Sequence, residues 1–413
     1  MVPTLAEALL ARLRGWEGEM TALLAELAAA ESPSLVPEAQ GPVLDLLGRV
    51  LAEAGLRVRR LAGRRSGGQL FAVPAADARP RRRPAQLLLG HCDTVWPLGT
   101  LAAMPVERRN GRLHGPGVFD MKGGLVQGVF ALRALRELAA EPPALPLFFV
   151  TSDEEVGSGE SRRRLRLLAR HVRRVFVLEP PLGPGGALKT GRKGFARFTV
   201  TVRGRAAHAG LDPEKGASAI LELAHVIQRL NALADPARGI SVNVGLVSGG
   251  VRANVVAPEA RAEVDVRILR AQDLAGVERE LRGLAPAVPG TSIEVAGGID
   301  RPPLESTPGN LALWRQAERA ALDLGIRLGS STVGGASDGN ITSLYAPTLD
   351  GLGAVGDGAH AAHEHVELAR MPERAALLAL LLLAPLDNGT SEGGAPVGEP
   401  AGGRTGSSPV GTE

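Results

Sequence analysis

The chain has 413 residues, more than one ordinary hydrophobic core holds, so we expect two domains. Its formal net charge is only +3, with 47 basic and 44 acidic side chains. The two most basic runs, ARPRRRP (78–84) and SRRRLRLLARHVRR (161–174), contain no aromatic residues that could stack on bases. We interpret them as a surface loop and a solvated helix face, and we expect no nucleic-acid partner.

Composition also bears on the expected compartment. Cys92 is the only cysteine, which excludes an intrachain disulfide and fits a reducing environment. The N-terminus shows no charged-then-apolar signal pattern, and the apolar run AALLALLLLAP (375–385) is too short to span a bilayer. We therefore expect a cytoplasmic protein with no membrane partner.

The first half of the chain alternates between two hydrophobic patterns. Apolar residues recur at helical spacing over 4–29 and 41–54. Runs that resemble buried strands then alternate with helical stretches, at 85–95, 124–140, 145–155, 161–174 and 174–181. This alternation predicts an α/β fold with a mostly parallel sheet.

The pattern changes near residue 192. Strand-like runs and helical stretches follow in the order β-α-β-β-α-β, at 195–205, 214–234, 240–248, 262–269, 272–285 and 291–296. This order predicts a ferredoxin-like domain. Helical spacing then returns at 309–325 and 369–385. We predict a catalytic domain in two parts (1–191 and 300–387), an inserted lid domain (192–299) and a tail (388–413). The tail is poor in core-forming residues, so we expect it to be disordered.

Polar residues stand at the end of each strand-like run in the first half. His91 and Asp93 end the first run, Glu154 and Glu155 the second, and Glu179 the third. Open α/β sheets bind ligands at the carboxyl edge of their strands, so we expect these side chains to lie close together. Adjacent strand residues face opposite sides, so both glutamates can serve one site only if the strand has ended before them.

Two further candidates lie in glycine-rich segments, Asp120 and His360. With the strand-end residues they give two histidines and three carboxylates as ligands. Nitrogen and oxygen ligands without thiolates suit zinc, with cobalt or manganese as substitutes. The set is too large for one tetrahedral ion with an open position and fits two ions that share a ligand.

The phrases GHCDTV, GPGVFDMKGG, TSDEEVGS, VLEP, GRAAHAG and GAHAAHEHV occur in this order. Over residues 15–386 the chain resembles the dinuclear-zinc exopeptidase family that contains carboxypeptidase G, acetylornithine deacetylase, succinyl-diaminopimelate desuccinylase and aminoacylase. The resemblance implies a catalytic α/β domain with an inserted ferredoxin-like lid. It also implies a homodimer joined through that lid.

The resemblance assigns roles to the ligand candidates. His91 and Glu179 would hold one zinc ion, Glu155 and His360 the other, and Asp120 would bridge the two. His363 and His365 also lie in the last phrase, but His360 fits best, because Glu364 then stands four residues later, as in the family's pattern.

The resemblance further implies that the peptide bond between Asp120 and Met121 is cis. Asp93 would orient His91. Glu154 would be the general base, which takes a proton from the attacking water and passes it to the leaving amine.

Four residues of the second half match positions that contact the substrate in the family. His208 would reach the partner subunit's site and stabilise the oxyanion, with help from Asn254. Arg267 would anchor the substrate's carboxylate. Arg301 resembles a second anchor found in glutamate carboxypeptidases.

We therefore expect metal-dependent hydrolysis of an amide bond next to a free carboxylate. A carboxypeptidase that releases C-terminal glutamate is the first choice, and an N-acyl-amino-acid deacylase is the alternative within the same class. A non-catalytic binding protein on the same fold is disfavoured, because neither the base nor any ligand is missing.

Overall fold

The computed structural model describes residues 3–75 and 83–386. The predicted disordered tail, 388–413, lies outside these residues. The described residues form ten α-helices: α1 Leu5–Gly15, α2 Glu17–Ala29, α3 Gly41–Glu53, α4 Gly123–Glu137, α5 Arg162–Ala169, α6 Ala219–Asn231, α7 Ala271–Arg282, α8 Pro308–Asp323, α9 Asp338–Thr342 and α10 Met371–Leu383. None of these helices is long and apolar enough to cross a membrane.

The strands of the described residues fall into four sheets. In chain order they are β1 Leu56–Leu61, β2 Gln69–Pro74, β3 Ala85–His91, β4 Glu107–Arg109, β5 Arg112–His114, β6 Leu145–Thr151, β7 Val175–Val177, β8 Leu188–Arg192, β9 Gly194–Arg203, β10 Ser241–Gly249, β11 Glu259–Ile268, β12 Ser292–Arg301, β13 Ser330–Val333, β14 Thr348–Leu349, β15 Gly356–Asp357 and β16 His365–Glu367. The predicted α/β fold is confirmed.

The central sheet has the strand order β1-β2-β6-β3-β7-β14. Its strands β6, β3, β7 and β14 run parallel, and the β1–β2 hairpin joins the edge of β6 antiparallel. Every residue of β6 is buried, and so is all of β3 except its first residue, because helices cover both faces. The helix α10 packs in this core against α4, α1 and α8, so the apolar run at 375–385 is a buried helix.

A second, antiparallel sheet has the order β10-β11-β9-β12. Helices α6 and α7 cover one of its faces and enclose a core of their own, in which Phe198, Val200 and Val264 are buried. The chain order β9-α6-β10-β11-α7-β12 is the predicted ferredoxin-like one. We call this unit the lid; its predicted boundaries, 192–299, stay a prediction.

A small sheet, β15-β16-β5-β4, holds two loops next to each other. β5 ends at His114 and leads into the loop that carries Asp120, while the hairpin of β15 and β16 carries His360 in its turn. His365 of β16 lies directly opposite His114 of β5. This pairing brings two distant segments, near 120 and near 360, to the same side of the central sheet.

The contact of α4 with the strand end near Leu178 generates a test of stability. An added Cβ at Gly124 would overlap the carbonyl oxygen of Leu178, whereas one at Gly276 in α7 would meet no atom within 4 Å. We expect Gly124→Ala to destabilise the protein by about 1–3 kcal/mol through overpacking. Gly276→Ala, the matched control, should stabilise it by about 0.5–1 kcal/mol through helix propensity. Thermal or urea unfolding measures both, and equal effects of the two substitutions would contradict the packing described here.

Candidate dinuclear metal centre

Parallel pairing brings the polar strand ends together. His91, the last residue of β3, lies opposite Thr151, the last residue of β6, and Leu89 lies opposite Val177 of β7. Glu154 and Glu155 follow β6 in a turn, and Glu179 follows β7. The strand has therefore ended before the two glutamates, so both can reach the same edge of the sheet.

Five side chains form two groups with a shared member. Nε2 of His91 lies 3.4 Å from Oδ1 of Asp120 and 3.5 Å from Oε1 of Glu179. Nε2 of His360 lies 3.5 Å from Oδ2 of Asp120 and 3.2 Å from Oε2 of Glu155. Within each group the candidate ligand atoms all lie within 4.8 Å of one another. Asp120 thus presents one oxygen to each group, as a bridging carboxylate does.

The buried polar atoms fit bound cations. Among the described residues, Nε2 of His91 and Oδ1 of Asp120 are buried and have no hydrogen-bond partner. Burying such atoms without a partner is unfavourable, and a divalent ion between them would satisfy both. Nδ1 of His91 lies 3.0 Å from the main-chain oxygen of Asp93, to which it donates in the tautomer that leaves the Nε2 lone pair free for a metal.

The acids around the two histidines raise the pKa of both imidazoles. A hydrogen bond with Glu155 raises the pKa of His360 to about 9. Burial opposes protonation of His91, but Asp120 and Asp93 raise the pKa of this ring well above its ordinary value. Protons and metal ions therefore compete for both rings, so metal affinity falls as the pH is lowered.

Asp93 holds the turn that follows β6 as well as the ring of His91. Its buried carboxylate accepts hydrogen bonds from the main-chain N–H groups of Glu154 and Glu155, both at 3.2 Å, and from the hydroxyl of Ser34 at 2.7 Å. Burial alone would raise the pKa of Asp93, but the hydrogen bonds from His91 and Ser34 hold it below its ordinary value. The carboxylate thus fixes the turn that carries both glutamates.

Glu364 holds the loop of Asp120, the candidate bridging ligand. Its Oε1 accepts from the N–H groups of Phe119, at 2.9 Å, and Asp120, at 3.0 Å. Its Oε2 accepts from the N–H of Gly117 and from Nε1 of Trp96, both at 3.0 Å. The peptide bond after Asp120 is cis, as the resemblance implies. The sequence pattern marked Glu364 only by its spacing from His360 and did not indicate these contacts.

The other two histidines of the last phrase lie outside both groups. His363 faces Asp357 at 3.9 Å. Nδ1 of His365 contacts the main-chain oxygen of His363, and its ring packs on that of His114. The structure therefore brings His360, the predicted ligand, to Asp120 and Glu155.

Arg192 supports the ligand Glu179 and was not indicated by the sequence. Its Nη2 donates to Oε2 of Glu179 at 3.0 Å, while Nε and Nη2 donate to the two oxygens of Asp350 at 2.9 and 2.8 Å. Burial would raise the pKa of Glu179, but the positive charge of Arg192 holds it far below its ordinary value. Glu179 is therefore an ionised ligand candidate, and its second oxygen already accepts a hydrogen bond from Arg192.

Three predicted substrate-binding residues lie in the lid. Nδ1 of His208 accepts the N–H groups of Gly210 and Leu211, both at 3.1 Å, and the main-chain oxygen of Asn254 accepts the N–H of Ala209. Arg267 donates to Asp265 and lies over the ring of Phe195. Among the described residues, the hydrogen bonds and ion pairs of His208, Asn254 and Arg267 do not include any of the five metal-ligand candidates.

Arg301 was expected to anchor the substrate, but it does not lie at an exposed position. It is only 2% exposed, and its guanidinium donates to Asp338, to Ser158 and to the main-chain oxygen of Glu154. Its Nη2 also lies 3.3 Å from Oε1 of Glu154. The structure therefore places Arg301 beside the predicted base, with internal carboxylates as its partners.

The contacts of Glu364 generate a test that does not require a substrate. Glu364→Ala leaves the N–H groups of the Asp120 loop without their acceptor, so we expect zinc affinity to fall about 10–100-fold. Glu367→Ala is the matched control, because Glu367 lies three residues later, at the end of β16, and the ion pair of its carboxylate among the described residues is with Arg112 at the surface. Zinc titration against a chromophoric chelator measures both variants. An unchanged affinity in Glu364→Ala would refute the role given to this carboxylate.

Known proteins share both the sequence pattern and the fold. Residues 87–384 match the model described as Peptidase family M20/M25/M40. Carboxypeptidase G2 of Pseudomonas sp. (strain RS-16) is 28% identical over 302 residues, 72% of this chain and 73% of that protein. A succinyl-diaminopimelate desuccinylase of Cereibacter sphaeroides is 30% identical over 386 residues, 87% of this chain and 97% of that protein.

Among solved structures, the Bacillus subtilis YXEP protein, described as a dinuclear metal binding peptidase from the M20 family, aligns with a TM-score of 0.67. The alignment covers 90% of this chain and 98% of that one at 15% identity, so it supports the fold. The resemblance read from the sequence is confirmed. The chain belongs to peptidase family M20/M25/M40 and is a metallohydrolase of the kind that includes carboxypeptidases and desuccinylases.

Proposed function

We propose that this protein is a carboxypeptidase that cleaves the amide bond before a C-terminal glutamate, with two zinc ions per chain. The observation that carries the proposal is the pair of ligand groups that share Asp120, with the largely buried Glu154, 11% exposed, in the same turn as Glu155. The similarity to carboxypeptidase G2 supports carboxypeptidase activity. Cobalt or manganese would substitute for zinc, since the ligands are nitrogen and oxygen atoms.

Each group of the site has a defined task. Bound divalent ions would polarise the scissile carbonyl and lower the pKa of water. Glu154 takes the proton of the attacking water and delivers it to the leaving amine. Burial raises the pKa of Glu154 well above its ordinary value, against the attraction of Arg301, and a carboxyl with a raised pKa can hold the proton between these two steps.

The lid residues supply substrate contacts in this proposal. Because Nδ1 of His208 accepts two N–H groups, its neutral ring carries the proton on Nε2, which can donate to a developing oxyanion beside Asn254. Asp265 accepts from Nε and Nη2 of Arg267, and within the described ranges Nη1 makes no hydrogen bond. That edge of the guanidinium is available for the substrate's carboxylate.

We further propose a homodimer joined through the lid, in which His208 acts on the partner subunit's site. The lid's edge strand β10 carries exposed apolar side chains, with Leu246 69% and Val247 58% exposed. An exposed apolar edge strand favours association with another chain. We also propose a cytoplasmic location, because a chain with a single cysteine forms no intrachain disulfide and fits a reducing compartment.

A deacylase of N-acyl amino acids is the second candidate. It is favoured by the similarity to a desuccinylase over 97% of that protein's length. Both reactions use the same metal ligands and the same base, and both substrates carry a carboxylate for Arg267. The carboxypeptidase and the deacylase differ in which side of the scissile amide bond the lid recognises.

The function is tested by hydrolysis of a matched panel. The panel holds folate-like and peptidyl glutamates beside N-acetyl and N-succinyl amino acids, each with and without added zinc or cobalt. We expect about two ions per chain and release of free glutamate. Glu154→Ala should lose at least about 10²-fold in turnover while both ions remain bound.

Each other outcome of the panel decides against a named part of the proposal. Preference for N-acyl substrates would replace the carboxypeptidase with the deacylase. Loss of metal in Glu154→Ala would show that Glu154 is a ligand and that Glu155 is the base. No turnover of any substrate by the metal-loaded protein would refute the proposed function.

The dimer is tested by mixing two inactive variants, Glu154→Ala and His208→Ala. If His208 acts in trans, each mixed dimer contains one site with both groups intact, so random exchange should restore about a quarter of the wild-type activity. If His208 acts within its own subunit, no mixture recovers activity. Sedimentation velocity of the separate variants shows whether each is a dimer.

A further inference from the structure

A buried arginine, Arg301, contacts the proposed base, Glu154. We propose that Arg301 is a positioning residue that holds Glu154 in place for proton transfer. This rests on the proposed function, in which Glu154 is the base. It replaces the expectation that Arg301 binds the substrate.

The contacts of Arg301 involve both the main chain and the side chain of Glu154. Nη2 donates to the main-chain oxygen of Glu154 at 3.1 Å and lies 3.3 Å from its Oε1. The same nitrogen donates to the hydroxyl of Ser158 at 2.7 Å, at the end of the same turn. One guanidinium therefore fixes where the turn lies and where the carboxylate points.

Arg301 is itself held by a second carboxylate. Its Nη1 donates to Oδ1 of Asp338 at 2.9 Å, and Ser158 also donates to this oxygen. Oδ2 of Asp338 accepts the hydroxyl of Thr151, the last residue of β6. The side chains of Arg301 and Asp338 are 2% and 4% exposed, so the pair is shielded from water and its geometry is set by the strand end.

The main chain of Glu154 is held from two directions. Its N–H donates to Oδ1 of Asp93, and its carbonyl oxygen accepts from Arg301. Asp93 also contacts the metal ligand His91, so the base and the metal ligands are fixed by connected hydrogen bonds. A displacement of a catalytic group by about 1 Å can lower a rate about 10²-fold, which makes this support relevant to the reaction.

Burial separates this role from substrate binding. A substrate carboxylate could reach Arg301 only by displacing Asp338 or Glu154, which would leave a buried charge without its partner. Arg267, in contrast, is partly exposed and keeps one N–H edge without a hydrogen bond among the described residues. The two arginines are therefore expected to affect different kinetic constants.

The test uses Arg301→Met, Arg301→Lys and the matched control Arg162→Met in the metal-loaded enzyme. Arg162 donates to Gly157 of the same turn and to Asp300 but has no contact with Glu154 among the described residues. With the best substrate of the panel, we expect both Arg301 variants to lose about 10²-fold in kcat while KM changes by less than about threefold. The control should retain wild-type constants.

A double-mutant cycle shows whether Arg301 acts through Glu154. In a Glu154→Gln background, we expect Arg301→Met to cause no further loss of the residual kcat, because the group that it positions is already disabled. A rise in KM with kcat unchanged would identify Arg301 as an anchor instead. An equal loss of kcat in both backgrounds would also overturn the proposal.

A crystal structure of each Arg301 variant supplies a readout that needs no activity. We expect the Glu154 carboxylate to leave its position near the metal ligands while the ligands stay in place. Unmoved Glu154 side chains in both variants would overturn the proposal. If the wild-type enzyme cleaves nothing in the panel, the proposed function fails, and these structures still decide whether Arg301 positions Glu154. Arg301→Lys retains the charge and serves if Arg301→Met does not fold.

Discussion

Repulsion between carboxylates at one edge of the central sheet is the constraint on which the rest of the site depends. Asp93, Asp120, Glu154, Glu155 and Glu179 all gather there. Two like charges 4 Å apart repel by about 4 kcal/mol at an effective dielectric constant of about 20. Such a cluster is compatible with a folded chain only if cations lie between the acids or protons neutralise some of them.

The arginines of the site contact Glu179 and Glu154, and they do not pair with Asp120 or Glu155 among the described residues. Arg192 pairs with Glu179, and Arg301 contacts Glu154. Within the described ranges, Asp120 and Glu155 have only histidines as cationic partners. Asp120 and Glu155, which no arginine contacts among the described residues, lie where two divalent ions fit. The positions of the arginines therefore indicate where the metal ions bind.

Main-chain N–H groups provide a second kind of support, which does not require an ion. Glu364 accepts three of them from the Asp120 loop, and Asp93 accepts two from the turn of Glu154 and Glu155. Both acceptors are buried. The ligand positions are therefore set by the polypeptide before any metal binds, which reduces the reorganisation needed for binding and catalysis.

The sequence predicted what local patterns encode. Apolar runs that end in polar residues located His91, the two glutamates and Glu179, and the alternation of hydrophobic periods gave the order of elements in the lid. The supports escaped prediction because their partners are far apart in the chain: Arg301 and Glu154 are 147 residues apart, and Glu364 and Phe119 are 245 apart. Residue spacing carries no signal for such pairs.

The two buried arginines beside the site, Arg192 and Arg301, also share a place in the fold. Arg192 ends β8 just before the lid begins, and Arg301 ends β12, the last lid strand. These two connections run side by side, with Arg192 paired to Leu304 and with Gly194 so close to Pro303 that an added Cβ would overlap its nitrogen. The segments that attach the lid therefore carry the charges that hold Glu154 and Glu179.

This arrangement limits how the lid can move. Phe195 of β9 lies between Arg267 of β11 and Arg301 of β12, directly opposite each. A bend inside these strand ends would shift the proposed carboxylate anchor and also disturb the proposed base and a candidate metal ligand. If the lid reorients and the site stays intact, the stretch from Arg192 to Phe195 and the end of β12 must therefore stay in place. The bend must then lie farther out along the lid strands.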